Sequence, residues 1–221
     1  MIVARDLVRS FAGQRVLDGA SMTLEDDALV VLTGPSGSGK STLLRILAGL
    51  DRPDSGVVEV DGAVATGPGD CLAPHLRGIG FVFQSPTLWP HMTVAGNVAF
   101  AIGNGSRRAR TEKALAQLEE VGIPELAERY PGQISHGQAH RVALARALAP
   151  EPRHLFLDEP LANLDAPTRS ELLELIRNQI DSRRTSVLFV THDREEMRRL
   201  GGTLLHLEGG RLSDVAREGG I

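Results

Sequence analysis

Residues 28–50 read ALVVLTGPSGSGKSTLLRILAGL, and the pattern changes character twice within them. Residues 28–32 are a continuous apolar run of strand length, expected as a strand buried on both faces. Residues 34–41 fit G-x-x-x-x-G-K-[ST], in which glycines let backbone N–H groups converge on phosphate oxygens where larger side chains would obstruct them. Leu43, Leu44, Ile46, Leu47 and Leu50 then recur at helical spacing. Gly34, Pro35, Ser36, Gly37, Ser38 and Gly39 would form the cradle, Lys40 would reach the β- and γ-phosphates of a nucleotide, and Ser41 would set its hydroxyl on Mg²⁺. The helix start aims its positive dipole end at the anion, and Thr42 would cap or pack there. The plain alternative is a Gly/Ser-rich turn that binds nothing; the strand before it and the helix after it speak against that.

Outward from this unit, the N-terminal segment carries short strands around Val3, Leu7 and Val8 and around Val16, Met22 and Leu24, separated by the turn-prone Ala12-Gly13-Gln14, so an antiparallel meander is expected. Strands are expected at 57–60, 79–83, 154–157, 186–190 and 203–207, and helical spacing at 109–121, 142–148 and 172–180. Strands alternating with helices imply an α/β fold with a mainly parallel, doubly covered sheet. Residues 103–110, GNGSRRAR, read as a flexible, solvated loop.

A phosphate site needs an acid at the end of a buried strand, and 155–160, LFLDEP, supplies two. Asp158 would bind Mg²⁺ directly or through water. Glu159, pointing elsewhere, is placed to polarise a water attacking the γ-phosphate; alone it would read as a solvated turn carboxylate. Further back, Ser135 and Gln138 make an S-x-x-Q capping box at a helix start.

Composition excludes several classes. In 221 residues, 24 Lys+Arg against 28 Asp+Glu leave a net charge of −4, without the basic excess that would draw the molecule onto nucleic acid. A single Cys71 makes neither an intramolecular disulfide nor a multi-cysteine zinc site, and no basic flank and apolar run open the chain, so it is expected to be cytoplasmic. Residues 78–106 hold no Asp, Glu, Lys or Arg, yet Gln84, Pro86, Pro90, His91 and Asn97 exclude a membrane span.

Residues 134–138, ISHGQ, running into the helix RVALARAL at 141–148, resemble the Leu-Ser-Gly-Gly-Gln signature of the ATP-binding cassette (ABC) ATPases, and the resemblance covers essentially the whole chain. It implies ATP hydrolysis with Mg²⁺ on a P-loop NTPase core that carries an N-terminal antiparallel β subdomain and an inserted helical subdomain. As a single nucleotide-binding domain, the chain divides into a catalytic core at 1–86 and 149–221 and a helical subdomain at 87–148. By resemblance, Phe11 stacks on adenine, although a lone Phe between strands also suits a core. Gln84 is the Q-loop glutamine, sensing Mg²⁺ or the attacking water; Asp165 is the D-loop aspartate; His192 is the switch histidine that orients Glu159. Ser135, Gly137 and Gln138 complete the site of a second copy in a head-to-tail dimer. His136 stands where the family has a glycine, tolerable if its backbone is helical.

Residues 85–98 resemble the segment with which bacterial importer ATPases grip a coupling helix of a separate membrane permease. Trp89, Met92 and Val98 would form that groove or, equally, the core of the helical subdomain. The resemblance implies an uptake system for a small solute, with an extracytoplasmic binding protein as a further partner. The chain would lie peripherally on the cytoplasmic face of the inner membrane and would lack a regulatory C-terminal domain, ending about a dozen residues after its last strand. Export remains the nearer alternative. A soluble cassette acting on DNA or ribosomes lacks the sustained heptads expected of it, and a P-loop kinase leaves 135–138 unexplained.

Overall fold

The computed structural model describes residues 1–67, 69 and 71–215. In chain order the elements are β1 (Ile2–Phe11), β2 (Gln14–Leu24), β3 (Leu29–Thr33), α1 (Lys40–Leu47), β4 (Ser55–Val60), β5 (Ala63–Thr66), β6 (Ile79–Val82), α2 (Val94–Ala101), α3 (Arg107–Glu120) and α4 (His136–Leu148). There follow β7 (His154–Asp158), α5 (Ala166–Ser182), β8 (Ser186–Val190), α6 (Arg194–Leu200), β9 (Thr203–Glu208) and β10 (Arg211–Asp214). The fold is α/β, an antiparallel sheet joined to a mainly parallel one with helices, as the alternation of patterns implied. The chain divides into two compact units, Met1–Ile79 with Arg184–Ile221, and Gly80–Arg183.

In the first unit an antiparallel sheet runs in the order β2-β1-β4-β5. The β1–β2 hairpin turns on Ala12 and Gly13, at φ 48° and 83°, the left-handed pair that matches the twist of tight hairpins. Leu7, Leu17, Ala20 and Leu24 are its fully buried side chains. The parallel part places β3 between β8 and β9, with Leu32 opposite Val190 on one side and Leu205 on the other. All five β8 residues are buried, which is why the segment reads as an unbroken apolar run. Helix α1 buries Leu43, Leu44, Ile46 and Leu47 completely. Its last carbonyls are tied down by the buried Arg77, which donates to Ile46 O at 3.2 Å and Leu47 O at 2.9 Å.

In the second unit β7 lies beside β6, and Phe156 meets Phe81 nearly edge-on with ring centroids 6.4 Å apart. Helices α2, α3 and α4 share a core built from Val94, Val98, Leu118, Val121, Val142 and Ala145.

Several elements depart from the sequence reading. Arg107 to Arg110 are not loop but the first turn of α3, started by Ser106, whose hydroxyl accepts the Ala109 N–H at 3.2 Å. Helix α4 begins at His136, where the Ser135–Gln138 box placed a helix start, so the box and the apolar stripe from Val142 belong to one helix. Helices α2 and α6 and strands β5 and β10 were not anticipated. With β10 following β9, the strand taken as last is not the last, and the chain beyond 215 lies outside the described residues. No helix among the described residues is long and apolar enough to cross a membrane.

Candidate functional site

The first unit carries Phe11, the loop through Thr42 and His192; the second carries Gln84, Ser135, Gly137, Gln138, Asp158, Glu159 and Asp165.

The glycine loop leaves β3 at Thr33 and enters α1 at Lys40. Gly39 caps the helix at φ 104°, where a Cβ would strike Val16 Cγ1 at 2.8 Å and its carbonyl oxygen at 2.9 Å, so only glycine closes the turn. No side chain caps α1, leaving the first-turn N–H groups directed at the loop. Lys40 is 6% exposed, and its ammonium donates to Gly34 O at 3.0 Å and Pro35 O at 2.9 Å. Both partners are neutral carbonyls, so among the described residues a nearly buried positive charge stands without a counter-anion. Ser38 Oγ is buried with no hydrogen-bond partner among the described residues. A buried cation, an orphaned hydroxyl and a helix start that no side chain caps together fit a polyphosphate.

Phe11 ends β1 with 44% of its surface exposed and the Arg9 guanidinium 4.6 Å from its ring centre, so it is not a core residue. His192 is exposed beyond β8, between two anchored neighbours. Thr191 Oγ1 donates to the buried Glu196 at 2.5 Å and accepts the Asp193 N–H at 3.0 Å, and Asp193 caps α6 by accepting from Glu195 and Glu196.

In the second unit Asp158 ends β7 at 3% exposure, and Glu159 follows in a left-handed conformation, φ 46°. That reversal turns successive carboxylates in different directions, as expected of two acids with different tasks. Gln84, after β6, donates from Nε2 to Glu159 Oε2 at 3.3 Å, which joins two residues 75 positions apart. Ser135 caps α4 as its motif predicts: Ser135 Oγ accepts the Gln138 N–H at 3.2 Å, and Gln138 Oε1 accepts the Ser135 N–H at 2.8 Å. His136 is the first helical residue, so its side chain is tolerated where the family has glycine. Its Nε2 lies 3.1 Å from that of His140, which is 1% exposed. Burial, and then the neighbouring His136, push the His140 pKa down to about 4. Gly137 packs so closely on Thr168 that a Cβ would fall 2.5 Å from Thr168 Cγ2. Thr168 in turn donates from N and Oγ1 to Asp165, which caps α5 and is held below the usual carboxylate range first by that N–H.

Of the three residues assigned to a groove, Val98 is wholly core, Trp89 is 46% exposed and Met92 lines a groove with Ala99, Phe100, Arg107, Arg110 and Glu128. The groove is organised by the fully buried Asn97, which accepts the Trp89 N–H at 2.7 Å and donates to the Trp89, Met92 and Thr93 carbonyls. Sequence reasoning used Asn97 only to reject a membrane span; a lone polar residue in an apolar stretch was the signal available.

Over 226 aligned residues the chain is 43% identical to the sulfate/thiosulfate import ATP-binding protein CysA of Rhodopseudomonas palustris, covering 100% of this chain and 64% of that protein. The Fe(3+) ions import ATP-binding protein FbpC 3 of Rhodococcus jostii is 40% identical, over 94% of this chain and 59% of that protein. The chain thus spans less than two thirds of the length of these curated relatives. The dimeric post-hydrolysis state of the ATP-binding cassette MJ0796 bound to ADP and Pi superposes with a TM-score of 0.87 at 30% identity, covering 100% of both chains. The ABC transporter family model matches residues 17–162, and with the signature helix, the glycine loop and the whole fold in agreement, the chain belongs to the ABC transporter family.

Proposed function

We propose that the chain is the ATP-hydrolysing subunit of an uptake transporter, binding ATP with Mg²⁺ and pairing with a second copy to drive a separate membrane permease. The observation that carries the nucleotide assignment is Lys40, a nearly buried ammonium whose partners among the described residues are neutral carbonyls of the glycine loop itself. The main chain of 34–39, Ser38 and Lys40 hold the phosphates; Thr42 sits in the first turn of α1, and Phe11 offers its exposed ring to the base. The Ser41 hydroxyl and the Asp158 carboxylate are hard oxygen donors suited to Mg²⁺, which keeps several waters and takes phosphate oxygens for the rest, and Gln84 is a further oxygen donor. When bound, Mg²⁺ neutralises charge on the phosphates.

Glu159 accepts the proton of the attacking water, with Gln84 fixing its carboxylate and His192 donating to the γ-phosphate. Positioning and electrostatics, not a covalent intermediate, carry the rate. Ser135, Gly137 and Gln138, at a capped helix N-terminus, meet the nucleotide of the second copy, and Asp165 meets that copy's backbone. The relatives named for sulfate/thiosulfate and Fe(3+) import support uptake; the same reading includes an extracytoplasmic solute-binding protein and a peripheral place for the chain on the cytoplasmic face of the membrane. The solute contacts the permease rather than this subunit, so its identity is read from the partner.

The test is the purified chain with radiolabelled ATP. Wild type should hydrolyse it, Lys40→Ala should lose binding, and Glu159→Gln should retain binding and accumulate as a dimer with turnover down by about 100-fold or more. Wild-type hydrolysis by Glu159→Gln would refute the general-base role. Co-purification of an integral membrane subunit from solubilised membranes would support transport; a partnership with ribosomes or DNA alone would overturn it.

A further inference from the structure

Arg146 lies in the last turn of α4, where a cation would ordinarily serve the helix dipole and point to water. Instead its guanidinium donates from Nη1 to Thr87 O at 2.9 Å and from Nη2 to Pro86 O at 3.0 Å, with Thr87 Oγ1 at 3.4 Å. No carboxylate pairs with it among the described residues, so its planar fork serves two consecutive carbonyls of one segment. That segment is strained. Thr87 is β-branched yet stands at φ 44°, in the left-handed region, where such a residue persists only if its surroundings hold it.

The segment is also chemically placed. Two residues before Pro86 is Gln84, bonded to Glu159; two residues after Thr87 is Trp89, whose N–H and carbonyl are fastened to Asn97. The far end of α4, a rigid rod of about 20 Å, carries the Ser135–Gln138 box. One helix therefore holds the signature serine at its N-terminus and the backbone behind Gln84 at its C-terminus.

We infer that Arg146 is a positioning residue that clamps 86–87 in its strained turn and so holds Gln84 against Glu159 and the groove loop at Trp89 in fixed relation to the signature helix. The kinetic part rests on the proposed ATPase reading; the conformational part does not. Trp89 is the only tryptophan of the chain, so acrylamide quenching of its fluorescence reports the order of this loop whether or not ATP is hydrolysed.

The experiment compares wild type, Arg146→Met, Arg146→Lys and Arg146→Met/Thr87→Asn, with asparagine chosen because it accepts left-handed φ without glycine's freedom. Arg146→Met should raise Trp89 quenching about twofold and lower kcat by about 10- to 100-fold with KM for ATP changed less than twofold, the pattern of misplaced catalytic groups beside an intact nucleotide site. Arg146→Lys, which keeps charge and donors but not the fork, should fall between, and it decides the matter if the methionine variant does not fold. Thr87→Asn should return part of the lost order and rate. Unchanged quenching and kcat in Arg146→Met, or in Arg146→Lys where that variant decides, would overturn the inference. So would losses that Thr87→Asn leaves untouched. Higher quenching in a chain whose wild type hydrolyses nothing would support the clamp and refute the ATPase reading.

Discussion

His140 is almost wholly buried on α4 with its Nε2 3.1 Å from that of His136, and its pKa is pushed down to about 4. In the unfolded chain the same imidazole takes up a proton near pH 6.5, so below that pH the unfolded state binds more protons than the folded one. Stability is then lost as pH falls from about 6.5 toward 4, and each tenfold difference in proton affinity between the two states is worth about 1.4 kcal/mol. The deficit from this one residue is about 2 kcal/mol at pH 5 and approaches about 3 kcal/mol at pH 4, against almost none at pH 7.5. His140→Gln removes the titration and leaves a polar side chain of similar length. Urea unfolding at pH 7.5 and pH 5, at constant ionic strength, should show wild type losing about 2 kcal/mol more than the variant between the two conditions. His136→Gly, which removes the smaller of the two downward influences on His140, should give an intermediate slope. Parallel pH dependence in wild type and His140→Gln would mean that the buried imidazole is not held neutral, and the reasoning would fail.

Other perturbations test the packing around the signature helix. Gly137→Ala should destabilise by about 1–3 kcal/mol through the clash with Thr168 Cγ2, and Thr168→Ser, which drops the methyl and keeps the hydroxyl bond to Asp165, should restore most of it in a double-mutant cycle followed by urea unfolding. Ser135→Ala should cost about 1 kcal/mol by breaking the reciprocal cap, measured as a lower urea midpoint with an unchanged m-value. Asn97→Ala leaves the backbone of the Trp89 loop without its partners, and a loss of about 2 kcal/mol or more with red-shifted Trp89 emission is expected.

The sequence was legible wherever a structure is local. The strand, loop and helix of 28–50 are encoded within one stretch, the β1–β2 turn in two residues, and the α4 start in the Ser135–Gln138 spacing. Helix α2 escaped because VAGNVAFA is apolar almost all round, which removes the periodicity that marks a helix lying on a core. The start of α3 escaped because RRARTE is polar on every face and its helix signal rests on the Ser106 cap. Strands β5 and β10 have four residues each and were too short to show alternation. At the site, Glu159 and Gln84 were legible as candidates, but their meeting was not, because residues 75 apart are joined only by tertiary structure. Arg146 and His140 were not singled out in the sequence, because their roles come from what lies opposite them.

The pairing of β3 also sets an order of events during synthesis. The β1–β2–β4 meander finds its partners within the first 60 residues, but Leu32 waits for Val190, roughly 160 residues later, and then for Leu205. At about 5–20 residues per second a ribosome takes roughly 8 to 30 s to deliver the first of these. Throughout that interval the most apolar strand of the unit has neither parallel neighbour, and the glycine loop it carries has no fixed base from which to shape its N–H cradle. Leu207, whose carbonyl closes over Gly34, arrives last of all. Nucleotide thus cannot template the early nascent chain, because the strand that carries the loop gains its parallel neighbours only once β8 and β9 have been made.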